Sequence, residues 1–173
     1  MEVTYKNETY TLGKKERKIE TEAPAVRVKM LSGETKVIGM MAPKTQVLIT
    51  FPCIKAYNNG LHNILEEYKS KIITYILTKS NEENIDKVKE AYSLDEGFIS
   101  NEFKDFSLKF GVNINDELLA KSIFVVDKEG VIKYIEIPSN IETSFDLDKF
   151  KEQLDEVVNF KQKGHTHENW MGV

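Results

Sequence analysis

Two short apolar runs on either side of an amphipathic segment restrict the folds open to this chain more than any other feature. The runs are Val47–Phe51 and Ile72–Leu77, and such nearly continuous apolar stretches are typical of strands buried on both faces of a sheet. Between them, apolar residues recur at the spacing of one helix face, at Leu61, Ile64, Leu65 and Tyr68. Since strand, helix and strand in this order make a parallel crossover, the sequence predicts an α/β protein.

The N-terminal region precedes this crossover and has its own strand pattern. Residues Val3–Leu12 alternate around a polar Asn7-Glu8 turn, which predicts a β-hairpin. Ala23–Met30 also alternates and predicts an extended strand.

Two helices are predicted after the second buried strand. Ser80 and Glu83 have the spacing of a capping box, and the helix they open carries apolar residues on one face at Ile85, Val88 and Tyr92. A shorter helix presents three phenylalanines to the core and ends at Gly111, a residue suited to a helix C-terminus; the three are Phe103, Phe106 and Phe110.

The chain then returns to strands before a last helix. Ser122–Val126 and Val131–Ile137 flank Asp127–Gly130, whose glycine suits a hairpin turn. The final amphipathic stripe consists of Leu147, Phe150, Leu154, Val157 and Val158. The order of elements predicts a thioredoxin-like α/β fold, with a central mixed sheet flanked by helices and an added N-terminal β-hairpin. We expect one domain over residues 1–160 and a polar C-terminal tail over 161–173.

Charge and hydropathy exclude several classes of protein. The formal net charge of −4 argues against a general nucleic-acid binder, which needs a basic surface. No apolar run approaches the roughly 20 residues that cross a bilayer, so no membrane association is expected. The first residues, Met1–Tyr5, show no signal-peptide pattern, and a cytoplasmic location is expected.

Cysteine usage restricts the possible chemistry. The chain contains one cysteine, Cys53, so an intramolecular disulfide and a CxxC redox or zinc pair are both excluded. Any redox chemistry must therefore use one cysteine alone or involve a second chain.

Three stretches together resemble the bacterial thiol peroxidases, a subfamily of the peroxiredoxins. They are the hairpin at Val3–Lys6, the strand and loop at Val47–Ile54, and the segment Leu118–Asp127, after which Gly130 and Tyr134 follow in register. The resemblance covers about residues 1–160 and implies a peroxiredoxin-type thioredoxin-like fold. It also implies a homodimer and, for an active enzyme, a thioredoxin-type reductant.

The residues that the family uses for chemistry are replaced in this chain. The family pattern after the strand is Pro-Ser-Ile-Asp-Thr-x-x-Cys, whereas this chain has Ala56 in the threonine slot and Asn59 in the peroxidatic slot, or Asn58 if the register slips by one. Lys121 replaces the family arginine, and the segment 84–89, where the family has its second cysteine, contains none. Because an amide is no substitute for a thiolate and lysine lacks the planar fork of arginine, we expect a degenerate site and a non-catalytic binding or regulatory module.

Cys53 supports an alternative function. It directly follows the strand, near the carboxyl edge where open α/β sheets place their sites. The alternative is a one-cysteine thiol peroxidase or redox sensor that uses Cys53 to reduce hydroperoxides. Against it stands the interpretation of Cys53 as a small buried residue that fills space.

Three weaker signals have structural explanations as well. Asn58–Gly60 could bind a small anion at a helix N-terminus, but asparagine is also a leading N-cap residue. His165 and His167 supply too few ligands for a metal site and are better explained by a solvated tail. Trp170 and Met171 suggest that the tail docks on the protein body or on a neighbouring subunit. No cofactor and no metal is expected.

Overall fold

The computed structural model describes residues 1–12 and 16–171, with side chains as far as Asn159. The strands are β1 (Glu2–Tyr5), β2 (Glu8–Thr11), β3 (Ala25–Lys29), β4 (Thr35–Gly39), β5 (Thr45–Phe51), β6 (Ile72–Thr78), β7 (Ile99–Ser100), β8 (Asn113–Asn115), β9 (Leu118–Leu119), β10 (Ser122–Val126) and β11 (Ile132–Glu136). The helices are α1 (Asn59–Glu67), α2 (Glu82–Tyr92), α3 (Lys104–Phe110) and α4 (Leu147–Met171), and short 3-10 turns occupy Ile54–Ala56 and Glu96–Phe98.

The central sheet has five strands in the order β11-β10-β5-β6-β7. β5, β6 and β7 run parallel, whereas β10 and β11 are antiparallel to their neighbours. Every residue of β5 is buried, as the nearly continuous apolar run Val47–Phe51 within it predicts. The predicted thioredoxin-like α/β fold is therefore confirmed, with its mixed central sheet and its crossover through α1.

A hydrophobic core lies on each face of this sheet. On one face, Leu48 and Phe124 pack with the α3 phenylalanines and the β3-β4 hairpin. On the other face, Phe51 and Ile123 pack with α1, α2 and α4. Alternate residues of β5 and β10 thus serve different cores, as the period of two along a strand requires.

The N-terminal hairpin is confirmed, but its turn lies one residue earlier than the sequence suggests. β1 and β2 pair through Tyr5 and Glu8, so the turn residues are Lys6 and Asn7 rather than Asn7 and Glu8. Both have positive φ, 50° and 66°, which is the geometry of a tight hairpin turn matched to strand twist.

The capping box predicted at Ser80 and Glu83 is wrong. The N-cap of α2 is Asn81, whose side chain accepts a hydrogen bond from the backbone N–H of Asn84 at 2.9 Å. Asn81 and Ser80 are both good N-cap residues, so spacing alone could not separate them. Ser80 is buried and its hydroxyl contacts the loop after β5 instead.

Two small antiparallel pairs, β3-β4 and β8-β9, accompany the main sheet, and of their strands only β3 is anticipated by the sequence pattern. The last helix is also longer than its apolar stripe, since α4 runs to Met171 and so includes most of the segment 161–173. None of the described helices combines the length and the hydrophobicity needed to cross a membrane.

Candidate functional site

Cys53 lies in the loop that leaves the carboxyl end of β5. Pro52 follows the last strand residue, and Cys53 itself is extended, with φ of −138° and ψ of 123°. Its carbonyl oxygen accepts a hydrogen bond from the N–H of Ala56 at 3.1 Å, and the residue is partly exposed. Cys53 therefore precedes a short 3-10 turn and stands six residues before the first residue of α1.

Ser80 fixes this loop to the end of the neighbouring strand. The backbone N–H of Ile54 donates to Ser80 Oγ at 2.6 Å, and the same hydroxyl is 2.9 Å from Thr78 Oγ1 at the end of β6. Ile54 is fully buried, so its N–H needs a partner inside the protein. The loops after β5 and β6 are thus held together by one buried hydroxyl, which sequence analysis assigned to helix capping.

The two asparagines at the start of α1 have different positions. Asn58 is the N-cap, and its Oδ1 accepts from the N–H of Leu61 at 2.9 Å. Asn59 is the first helical residue and is exposed. The amide of Asn59 therefore stands on the first helical turn, where the resemblance places the peroxidatic thiol, and Ala56 ends the preceding 3-10 turn.

Lys121 reaches the same edge of the sheet from β10. Ser122 pairs with Thr50, and their hydroxyls are 2.5 Å apart, so the register brings Lys121 beside Phe51. The Lys121 side chain is buried, with 4% of its surface exposed. Its Nζ donates to the carbonyl oxygen of Thr143 at 2.8 Å and lies 4.6 Å from the centre of the Phe145 ring.

The surroundings of Lys121 have opposing effects on its charge. Burial lowers the pKa of the Lys121 ammonium, and the carboxylate of Glu136 partly offsets this effect. Glu136 is itself engaged, because Tyr134 donates its hydroxyl to Oε1 at 2.9 Å and the N–H of Asp146 donates to Oε2 at 2.7 Å. The Lys121 ammonium is therefore held by the segment that joins β11 to α4, through its contacts with Thr143 and Phe145.

An aromatic cluster beside this edge was not found by sequence reasoning. The hydroxyl of Tyr57 lies 2.8 Å from His62 Nδ1, and both rings contact Tyr92 of α2, with centres 4.9 and 4.8 Å away. Burial raises the pKa of Tyr57, so its hydroxyl stays protonated in this hydrogen bond with the imidazole. The cluster joins two helices far apart in sequence, so no local pattern could have revealed it.

The sequence-predicted residues are distributed along one edge of the sheet, at its carboxyl end. Cys53, Ala56, Asn58 and Asn59 lie in one continuous stretch, and Phe51 and Phe145 link this stretch to Lys121, with ring centres 6.0 Å apart. Among the described residues, no group of three or more His, Cys, Asp or Glu side chains could hold a metal ion. His165, His167, Trp170 and Met171 lie outside the described side chains.

Comparison with known proteins agrees with this architecture. The Redoxin family pattern matches residues 18–154. No curated protein sequence matches the chain significantly.

Several solved structures share the fold. A peroxiredoxin-like protein from Aquifex aeolicus is similar with a TM-score of 0.73 and 20% identity, over 90% of this chain and 96% of that one. A thiol peroxidase from Chromobacterium violaceum has a TM-score of 0.72 and 15% identity over the same shares. A mitochondrial 2-Cys peroxiredoxin from Plasmodium falciparum has a TM-score of 0.62 and 12% identity, over 84% of this chain and 97% of that one. Together with the matched family pattern, the fold and the edge described above lead to one conclusion: the chain belongs to the redoxin family.

Proposed function

We propose that this redoxin does not reduce hydroperoxides at the position the thiol peroxidases use, and that it serves as a non-catalytic binding or regulatory module. The observation that carries the proposal is Asn59 on the first turn of α1. Peroxide reduction requires a thiolate that attacks one oxygen of the O–O bond, and an asparagine amide cannot do this.

The neighbouring residues support the same proposal. Ala56 offers no hydroxyl where the resemblance has a threonine. Lys121 is engaged by the carbonyl of Thr143 and the ring of Phe145, so its ammonium is part of the protein interior. We infer that Lys121 has a structural role, because its ammonium is buried and its hydrogen bond is made inside the protein.

The assembly and location of the protein belong to the proposal as well. The resemblance to thiol peroxidases suggests a homodimer in the cytoplasm. A domain that keeps the dimer surface of the thiol peroxidases but not their catalytic residues would act through the partners it binds.

A peroxide-consumption assay tests the proposal directly. Hydrogen peroxide and an organic hydroperoxide are each supplied with thioredoxin, thioredoxin reductase and NADPH, with an active thiol peroxidase as the positive control. We expect no turnover above the background of the Cys53→Ser variant. Turnover by the wild-type protein that Cys53→Ser abolishes would contradict the proposal.

The partial exposure of Cys53 favours a second candidate function, that of a one-cysteine peroxidase or redox sensor. In this reaction the Cys53 thiolate attacks the hydroperoxide, the O–O bond breaks, and a sulfenic acid forms as the alcohol or water leaves. An external thiol, such as reduced thioredoxin, then attacks the sulfenic acid, releases water and leaves a mixed disulfide. A second thiol of that reductant resolves the disulfide and returns Cys53 to its reduced form.

Intact-mass spectrometry separates the two functions. After a low dose of peroxide, the wild-type protein is trapped with a sulfenic-acid reagent and compared with Cys53→Ser. An adduct on Cys53 without turnover indicates a sensor, and an adduct with turnover indicates an enzyme. A Cys53 that takes up neither oxygen nor an alkylating reagent in the native state leaves the binding module as the only function of the two.

A further inference from the structure

The first half of β6 forms an open edge of the central sheet. β7 contains two residues, and it pairs with β6 at Ile76 and Leu77. Beyond that pairing, no described strand lies beside Ile72–Tyr75 on the side away from β5. The sheet therefore narrows from five strands to four at the amino end of β6.

Two hydrogen bonds show which peptide groups of β6 face this edge. The N–H of Lys79 donates to the carbonyl of Phe51 in β5, and the carbonyl of Ile99 accepts from Leu31 and so points away from β6. Successive residues of a strand direct their peptide groups to opposite sides. Odd-numbered residues of β6 thus face β5, whereas Ile72 and Thr74 direct their N–H and C=O groups to the open edge. Among the described residues, no hydrogen bond outside the sheet engages these four groups.

A groove of about 420 Å³ lies against this edge. Its lining includes Ile72 and Thr74 from one face of β6 and Ile73 from the other face. Because residues from both faces line it, the groove must lie along the edge of the strand and not over one face of the sheet. Its walls come from the end of α1, from the connection after it and from the segment between α2 and β7, and they include Leu65, Glu66, Lys69, Leu94 and Phe98.

The edge lacks the features that usually prevent strand addition. Ile72–Tyr75 reads Ile-Ile-Thr-Tyr, with no charge and no proline, and these side chains favour strand pairing. The edge lines a groove, and the same edge of a second copy is recessed in its own groove. A separate extended segment can enter.

The charges around the groove indicate the polarity of the occupant. Thr45 pairs with Ile72, so the preceding Lys44 lies at the amino end of β6. Lys69 and Glu66 also line the groove, but their opposite charges form an ion pair at 3.3 Å. Asp95 lines the groove on the segment that leads to β7. An occupant with an acidic group near Lys44 matches this arrangement.

We propose that the groove binds an extended peptide segment of a protein partner, which pairs with the peptide groups of Ile72 and Thr74 in line with β7. Apolar side chains of the segment fill the groove, and an acidic residue lies over Lys44. Main-chain hydrogen bonds supply much of the affinity and the apolar lining supplies side-chain selectivity. This proposal does not depend on Cys53 or on any redox activity.

The test uses two fluorescein-labelled peptides of alternating valine and threonine, one with two glutamates at its N-terminus and one with them at its C-terminus. We expect one of the two to bind saturably and to protect the Ile72 and Thr74 amides from hydrogen exchange. Thr74→Pro removes an edge N–H but no bond to β5, and it should weaken binding about tenfold or more. The matched control Thr74→Val keeps the N–H and should bind like the wild-type protein.

A second variant keeps the test decisive if Thr74→Pro fails to fold. Lys44→Glu lies outside the strand and should weaken binding of the glutamate peptide while improving that of a peptide with lysines in the same places. Absence of saturable binding by both glutamate peptides would overturn the proposal. Protection of amides other than those of Ile72 and Thr74 would also overturn it. A concentration-dependent dimer in sedimentation that the peptides dissociate would overturn it as well, because a second copy would then occupy the groove.

Discussion

The ammonium of Lys121 donates a hydrogen bond to the carbonyl oxygen of Thr143 at 2.8 Å, and this bond ties the start of β10 to the segment that leads into α4. Phe145 covers the same ammonium with its ring, 4.6 Å away, and also packs against Phe51 at the end of β5. Lys121, where the resemblance has an arginine, thus fastens the connection between β11 and α4 to the central sheet. Because this charge is buried, we expect it to affect how the stability of the folded protein depends on pH.

We expect the contribution of Lys121 to stability to increase with pH on the alkaline side. Burial lowers the pKa of Lys121 in the folded state below 10.5, so between the lowered value and 10.5 the unfolded chain binds more protons than the native protein. In that window the free energy of unfolding increases as the pH rises. The increase is lost again as the pH falls to the folded-state pKa. The Lys121→Met variant should lack this component.

Chemical denaturation of both proteins from pH 7 to pH 10.5 measures the difference. The control is Lys55→Met, which removes an exposed ammonium and should change the curve little. A constant offset between wild type and Lys121→Met over the whole range would show that Lys121 keeps an ordinary pKa.

Removing the Ser80 hydroxyl should loosen the loop that holds Cys53. Ser80→Ala leaves the buried N–H of Ile54 without its partner at 2.6 Å, which should cost about 1–3 kcal/mol. Because Cys53 directly precedes Ile54, its alkylation by iodoacetamide should become faster. Urea denaturation and labelling rates measure the two effects.

The control for this variant is Ser70→Ala, which removes an exposed serine hydroxyl from the connection between α1 and β6. It should alter neither quantity. Equal alkylation rates in Ser80→Ala and wild type would mean that Ser80 does not restrain the loop around Cys53.

The hydroxyl of Tyr57 should matter for stability in alkaline solution. Burial raises the pKa of Tyr57 above 10, so its contribution is fully present below pH 10 and is lost as the pH rises toward the folded-state value. Tyr57→Phe removes the bond to His62, lowering stability by about 1 kcal/mol at pH 7, and should reduce the loss above pH 10. Unfolding titrations at pH 7 and pH 10.5 test both effects, and Tyr5→Phe, at a partly exposed tyrosine, is the control. A loss above pH 10 as large in Tyr57→Phe as in wild type would contradict this assignment.

The contrast between β5 and the site residues explains how far sequence reasoning reaches. β5, β6 and β10 were predictable because a strand in the middle of a sheet needs a nearly continuous apolar run. Ser80 was misassigned because its partner, the N–H of Ile54, is 26 residues away and belongs to another loop. The position of Asn59 followed from the resemblance. The anchoring of Lys121 by Thr143 depends on a contact across 22 residues that no local pattern encodes.

Placing a thiol at position 59 should return peroxide sensitivity to the first turn of α1. In a Cys53→Ser background, Asn59→Cys with Ala56→Thr puts sulfur at the first helical residue, beside the free N–H groups of the helix start and preceded by the Asn58 cap. A helix N-terminus stabilises a thiolate, so this thiol should form a sulfenic acid faster than Cys53 does in the wild-type protein.

Asn63→Cys in the same background is the matched control, because it places an exposed thiol on the second turn of the same helix. Trapping of the sulfenic acid and intact-mass spectrometry give both rates. Similar rates at positions 59 and 63 would mean that the helix start does not activate sulfur in this protein, and the amide at Asn59 would then not carry the proposed function by itself.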